Sequence, residues 1–382
     1  MALLHFDGIK FYEKWLDDFT DNQRPEGNIS GIIPSSGWGY DDWIGPVWDA
    51  ALFIIPDALE RYYGDTRAIH KIYNTCEKYL NYLKNREDKD GTVTYGIGDW
   101  VYYHTQTPTD YTTTCFYYWD NVLMTRFAEI TVKPGVSYQE KAESLKAFIH
   151  KKYFDPQTCL YANGSQTAQA VALAFALVPE EYESKVAENL NKAVVENNYH
   201  LDFGVLGSKY VPRMLSKYGY AETAYRMATK ETAPSWGNWI KLGFTTLAET
   251  WVLSPEFRDA SVNHVFLGDI SAWMVNTLAG INYDTEYRGF EKIVIKPDYI
   301  GELSWVKGEY KSVKGVIRSE WIRDGDTIRL LVTIPVNTAA TVYTDKVVEV
   351  GGGFHEFVFK NNGNRDLAYL AYDGLLGYDT IR

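Results

Sequence analysis

The chain is poor in the features that announce metal, membrane or nucleic-acid proteins. It carries three cysteines, Cys76, Cys115 and Cys159, widely separated and odd in number. That spacing offers no metal-type pair, so neither a zinc site nor a disulfide frame is expected, and no metal or cofactor. Cys76 falls on a helical apolar stripe and reads as core. Lysine and arginine form no cluster and the net charge is −12. Neutralising phosphates needs a basic face, so nucleic acid is not an expected partner. No stretch stays apolar for the length of a membrane span, and no membrane association is expected. The opening Met-Ala-Leu-Leu-His-Phe-Asp lacks the basic start and long apolar run of a signal peptide.

What is present in excess is aromatic. The 382 residues include 12 tryptophans and 30 tyrosines, and aromatics make up 15%. That is more than packing needs and points to carbohydrate or another flat ligand. A sugar ring stacks its C–H face on an indole while its hydroxyls take hydrogen bonds. An acidic, aromatic surface suits neutral polyols. Hydrophobic residues are 46%, enough for a substantial core. The length suggests two domains, or one large repeat-built domain with a smaller one.

Helical periodicity comes first. Over residues 5–20, Phe11, Tyr12, Trp15, Leu16 and Phe19 share a face. Residues 43–63 form a second candidate, with Pro46 near its start and Gly64 closing it. Asp65 reads as the cap of a third helix, whose stripe is Ile69, Ile72, Tyr73, Cys76, Tyr79, Leu80 and Leu83. A long loop from 86 to about 108 contains Gly98-Asp99-Trp100, and loops of that length tend to be functional. Helices are expected again at 110–131, 137–153, 166–178, 181–198, 208–219 and 221–232, with a last one from His264 to about Ile281. About ten helices with short connections suggest antiparallel hairpins in an α/α toroid, although no clean repeat is visible.

Near residue 283 the period becomes that of strands. Lys292-Ile293-Val294-Ile295-Lys296 opens it, and Ile328, Leu330, Val332 and Ile334 alternate after Asp324-Gly325, a hairpin signal. Residues 340–343 and 354–359 continue the pattern. The expected fold is therefore mainly α with a β appendage: an (α/α)6-type barrel over 1–282, then an antiparallel β-sandwich over 283–382. The tail from 361 has no clear pattern.

The stretch 234–264 carries the chemistry. It sets one carboxylate, Glu249, among Trp236, Trp239 and Trp251, with His264 shortly after. A carboxylate so placed can serve as a general base. The plainer reading makes the tryptophans core and Glu249 a surface or capping residue.

Several stretches, in order, resemble glycoside hydrolase family 78, the α-L-rhamnosidases. They are Lys14-Trp15-Leu16 leading to Gln23-Arg24-Pro25-Glu26-Gly27; Gly37-Trp38-Gly39; Trp48-Asp49-Ala50-Ala51; Gly98-Asp99-Trp100; and Ser165-Gln166-Thr167-Ala168. The strongest run is Pro234-Ser235-Trp236-Gly237, then Gly243 through Trp251, then Asn263-His264, and Ile334 to Tyr343 matches in the sandwich. The resemblance spans roughly residues 5–345 and implies an (α/α)6 catalytic barrel followed by a β-sandwich.

It also implies roles. Glu249 is similar to the base that activates water in an inverting hydrolysis. Trp48, Trp100 and Trp236 resemble aromatic walls around the sugar, and Trp38 a further contact. Asp49 and Asp99 become hydroxyl ligands, since a carboxylate accepts from two adjacent hydroxyls. His264 resembles a sugar contact. Each has an alternative on its own residues: a helix start with an N-terminal acid for Trp48-Asp49, turn chemistry for Asp99-Trp100, and a helix N-terminal residue for His264, capped by Asn263. Trp239 and Trp251 stand between core and cleft, Asp41 and Asp42 between caps and subsite ligands. Asp110 and Asp120 have no motif behind them.

Two departures bear on the expectation. The family's base motif reads Trp-Glu-Arg-Trp, whereas Ala248 and Thr250 flank Glu249 here. Its general acid lies on an Arg/Glu-rich, Gly-Trp segment upstream of the first barrel helix, which these residues are expected to lack; whether one barrel helix is missing with it is left open. The expected function is therefore α-L-rhamnosidase-like hydrolysis of terminal rhamnosides by a fragment or degenerate form. A missing N-terminal part of the same protein would be its partner. The other readings are a sugar-binding or scaffold protein that keeps the cleft, and another α/α-barrel glycosidase or lyase. The compartment is left open between bacterial cytoplasm and periplasm.

Overall fold

The computed structural model describes residues 2–35, 39–40, 43–252 and 260–361. Its helices are α1 (Ile9–Asn22), α2 (Pro46–Asp49), α3 (Ala51–Tyr63), α4 (Arg67–Lys84), α5 (Thr109–Thr131), α6 (Val136–Tyr153), α7 (Gln166–Ala174), α8 (Glu180–Glu196), α9 (Val205–Lys217), α10 (Ala221–Thr229), α11 (Trp236–Lys241) and α12 (Asp269–Trp273). A two-stranded hairpin, β1 (Phe154–Asp155) with β2 (Leu160–Tyr161), joins α6 to α7.

Burial sorts these helices into inner and outer. The α4 stripe read from the sequence is buried on the face it predicts, with the opposite side in water. α5 is buried nearly all round from Tyr111 to Ala128, and α7 is buried along its whole length. These two are inner helices, and a polar side chain within their buried stretches is cut off from solvent. α5 packs against α4 and α6, and α7 against α8 and α9, as the expected helical hairpins require.

Several helices differ from expectation: the 43–63 candidate is split into α2 and α3, α11 was not expected, and two others change their bounds. α9 starts at Val205, not 208, because an acid from a distant loop, Asp99, binds its first amides. The last helix does not run from His264 to Ile281. It spans Asp269–Trp273, continues as a π-type turn over Met274–Leu278, and begins after Gly268. His264 donates its main-chain N–H to Leu247 O at 2.9 Å, which holds it outside the helix, so Asn263 caps nothing. Asp65 lies one residue before the α4 cap, Thr66, and accepts from Arg67 N at 3.0 Å.

The sheet comprises β3 (Ile281–Tyr283), β4 (Lys292–Ile295), β5 (Trp305–Ser312), β6 (Gly315–Asp324), β7 (Thr327–Tyr343) and β8 (Val347–Lys360), in the order β3-β4-β7-β6-β5 with β8 on β7. The long β7–β8 ribbon shifts register between Ile334 and Ala339. Before the shift β7 pairs with β6, after it with β4. The ribbon thus serves both halves, which close over Ile293, Ile295, Trp321, Leu330 and Val332 in a nearly closed, barrel-like sheet. Pairing is antiparallel except that β4 runs parallel to β7. Trp321 Nε1 donates to Leu278 O at 2.8 Å, and Arg288 Nε to Glu60 at 2.7 Å, which bind the sheet to the helices.

Candidate active site

The loops that precede the inner helices meet at one end of the helical domain. Residues 43–45 lie back to back with 96–98: Ile97 N donates to Ile44 O at 3.1 Å, and a Cβ on Gly45 would stand 2.6 Å from Gly96 Cα. Only glycines permit this approach, since Gly45 and Gly96 both have positive φ.

The next pair of loops is cross-strapped. Asp99 accepts from Gly204 N at 3.1 Å, Leu206 N at 2.8 Å and Thr167 Oγ1 at 2.6 Å. In return Asp202 accepts from His104 N at 2.8 Å, Thr105 N at 2.9 Å and Thr105 Oγ1 at 2.5 Å. Each carboxylate therefore holds main-chain amides of the other loop. Burial pushes the Asp99 carboxyl up, and its hydrogen bonds oppose this. Asp99, expected as a hydroxyl ligand, has its oxygens bonded at the start of α9 and to Thr167 of α7. What it positions is Trp100, whose carbonyl accepts from Val205 N at 3.0 Å and whose ring stands in the open.

Glu249 sits on a bent loop segment that is bonded to the chain that follows. Its N–H donates to Ser261 O at 2.8 Å, its Oε2 accepts from Ser261 N at 2.9 Å, and His264 N binds Leu247 O. Glu249 and His264 thus lie on facing segments, and both are half-buried. His264 Nδ1 accepts from Phe266 N at 3.2 Å, so the neutral ring carries its proton on Nε2 as a donor.

Beneath this ladder is a tryptophan floor. Trp239 and Trp251 stack at 5.2 Å, and Trp236 meets Trp251 edge-on at 4.9 Å. Their indole N–H groups donate to Trp251 O, Phe203 O and Leu267 O. Trp236, expected as a wall, is buried with its ring packed on Phe203 and Trp251. Trp239 and Trp251 resolve to core. Trp48 differs. It is half-buried, meets Phe266 edge-on at 5.0 Å, and its Nε1 has no hydrogen-bond partner.

Asp49 turns inward. Expected as a hydroxyl ligand, it is buried and accepts from Tyr79 Oη at 2.7 Å. Burial raises its pKa to about 7. A cavity of about 10 Å³ touches it between Asn28, Tyr82 and Tyr95, room for one water. Near it Asp120 is fully buried with neither carboxylate oxygen bonded; burial, then the charge of Asp49, push its pKa well up. Trp38, Asp41 and Asp42 lie outside the described residues.

Sequence reasoning missed Ser261, Phe266, Asp202 and Trp43. Asp120 had a usable signal, an acid directly after the aromatic run Phe116-Tyr117-Tyr118-Trp119 in the middle of a helix. Among the described residues no three His, Cys, Asp or Glu side chains gather as a metal would need, and no helix is long and apolar enough to cross a membrane.

Residues 1–278 match the family model for the bacterial alpha-L-rhamnosidase six-hairpin glycosidase domain, and 280–360 that for the bacterial alpha-L-rhamnosidase C-terminal domain. An alpha-L-rhamnosidase of Streptomyces avermitilis is 27% identical over 366 residues, covering 92% of this chain and 35% of the relative. One of Formosa agariphila is 26% identical, covering 89% and 38%. The crystal structure of the Streptomyces avermitilis enzyme complexed with L-rhamnose superposes with a TM-score of 0.86 at 26% identity, over 93% of this chain and 36% of that one. The Dictyoglumus thermophilum α-L-rhamnosidase gives 0.86 at 28%, over 93% and 44%. The chain thus spans little more than a third of the length of the curated relatives it matches. With both domain models matched in order along its length, the chain belongs to the bacterial α-L-rhamnosidase family, glycoside hydrolase family 78, as its C-terminal catalytic part.

Proposed function

We propose that this chain supplies the base half of an inverting α-L-rhamnosidase site, acting on terminal α-L-rhamnosides. Glu249 is the general base. It takes a proton from water as the water oxygen bonds to the anomeric carbon and the glycosidic bond breaks. The leaving oxygen is protonated by a general acid on another segment of the protein. An inverting pair stands about 6.5–9.5 Å apart, which leaves room for that water. Trp48 and Trp100 wall the sugar, and His264 donates from Nε2 to a hydroxyl. Trp236 and Asp99 support this arrangement from behind, and Asp49 ties the end of α2 to Tyr79 of α4. Trp38 keeps its proposed place as a further contact.

One observation carries the reading: the two-way bond between Glu249 and Ser261, which fixes a half-buried carboxylate on a segment bonded to that of His264. Calorimetry of the chain with L-rhamnose tests the cleft, and release of L-rhamnose from an aryl α-L-rhamnoside tests the chemistry. Saturable binding without release would make the chain a sugar-binding module. Absence of both would defeat the sugar reading.

A further inference from the structure

Trp43 and Trp100 stand apart from the other tryptophans of this end. Trp236, Trp239 and Trp251 are buried, whereas Trp43 is 44% exposed and Trp100 37%. Their ring centroids are 6.2 Å apart with planes at 82°, so the indoles form a right-angled corner. Tyr102, also exposed, adds a hydroxyl bonded to Gln106 Oε1 at 3.4 Å.

The corner is held rigidly. Trp100 follows Asp99, bound to the start of α9, and its loop is clasped further on by Asp202 at His104 and Thr105. Trp43 precedes Ile44, whose carbonyl accepts from Ile97 N on the Trp100 loop. Both indoles therefore ride on loops bonded to each other. Keeping large apolar surface in water is unfavourable by about 25 cal/mol per Å². Pre-ordering it lowers the entropy lost when a flat ring settles there.

We infer that the Trp43–Trp100 corner is a subsite for the leaving group of the glycoside, taking a flat ring with an apolar face, aryl or pyranosyl. The inference rests on the rhamnoside reading above. A terminal-acting hydrolase encloses one sugar and leaves the rest of its substrate at the mouth. Here Trp43 and Trp48 flank the Gly45 turn and Trp100 is itself a proposed wall of the rhamnose, so the corner opens directly beside the sugar, with Trp43 as its outer face. A flat ring would lie on one indole with its edge toward the other, the two geometries aromatic groups prefer.

The test is calorimetric titration of the chain with methyl α-L-rhamnoside, phenyl α-L-rhamnoside and a methyl-capped rhamnosyl-glucose disaccharide. At least one ring-bearing ligand should bind more tightly than the methyl glycoside, by on the order of 2–10-fold for one stacking contact. Trp43→Ala should bring that ratio close to one, and Trp43→Phe should restore part of it. A thermal melt confirms that both variants fold. A gain confined to the phenyl ligand assigns an aryl leaving group; one confined to the disaccharide assigns a sugar. No gain for either ligand, or a gain that survives Trp43→Ala, overturns the subsite while the rhamnose cleft stands. If no rhamnoside binds, the functional reading falls and the subsite with it.

Discussion

Glu249 and Ser261 bond to each other twice. The Glu249 N–H donates to the Ser261 carbonyl at 2.8 Å, and the Ser261 N–H donates to Glu249 Oε2 at 2.9 Å. The backbone bond fixes where the residue starts, and the side-chain bond fixes where its carboxylate points. A base needs both, since a misplacement of 1 Å can cost on the order of a hundredfold in rate.

The tryptophans divide into floor and wall, and substitution should separate them. Trp251→Ala removes a buried indole with two ring neighbours among Trp236 and Trp239 and a bond to Phe203 O, and should cost about 3–5 kcal/mol in urea unfolding. Trp48→Ala removes a half-buried ring. It should weaken rhamnose binding about tenfold in calorimetry, with a smaller loss of stability than Trp251→Ala.

Asp99 holds the start of α9 and Thr167 of α7 through three hydrogen bonds. Asp99→Ala leaves Gly204 N, Leu206 N and Thr167 Oγ1 without their acceptor in a buried setting, and should cost roughly 3 kcal/mol or more. Asp99→Asn retains an acceptor oxygen and should lose less. Equal stability of Asp99→Ala and the wild type, measured by thermal unfolding, would show that the strap is unimportant.

The buried acid Asp49 makes stability fall as pH rises. Its folded pKa, about 7, lies above the ordinary 3.8, so the folded protein keeps a proton that the unfolded chain releases. This stability is fully present below pH 3.8 and is lost progressively up to pH 7, to a total of roughly 4 kcal/mol. Asp120 adds a loss of the same sign, since its pKa is also raised. Asp49→Asn should flatten the slope over that interval in urea titrations, and an unchanged slope would contradict the assignment.

Much of this was legible in local pattern. The α4 stripe, the Asp324-Gly325 turn and the alternation of Ile328, Leu330, Val332 and Ile334 needed only near neighbours in the chain. Glu249 stood out because its aromatic neighbours are close in sequence. What was not legible depends on long-range contact. The early start of α9 comes from an acid about a hundred residues away, and the short final helix from the hold of Leu247 on His264. Asp49 and Asp99 look alike in sequence as acids beside tryptophans. Only the fold shows one bonded to Tyr79 and the other to amides of α9. Trp43 drew no attention because exposure is a property of the fold.

The most direct test of Glu249 is a single substitution, Glu249→Gln, in the protein that releases L-rhamnose from an aryl α-L-rhamnoside. The shape of the site is kept and the proton acceptor removed. The rate of release should fall by on the order of 10²–10⁴, the usual contribution of one acid–base group, while rhamnose affinity stays within a few-fold. Release at the wild-type rate would take Glu249 out of the mechanism.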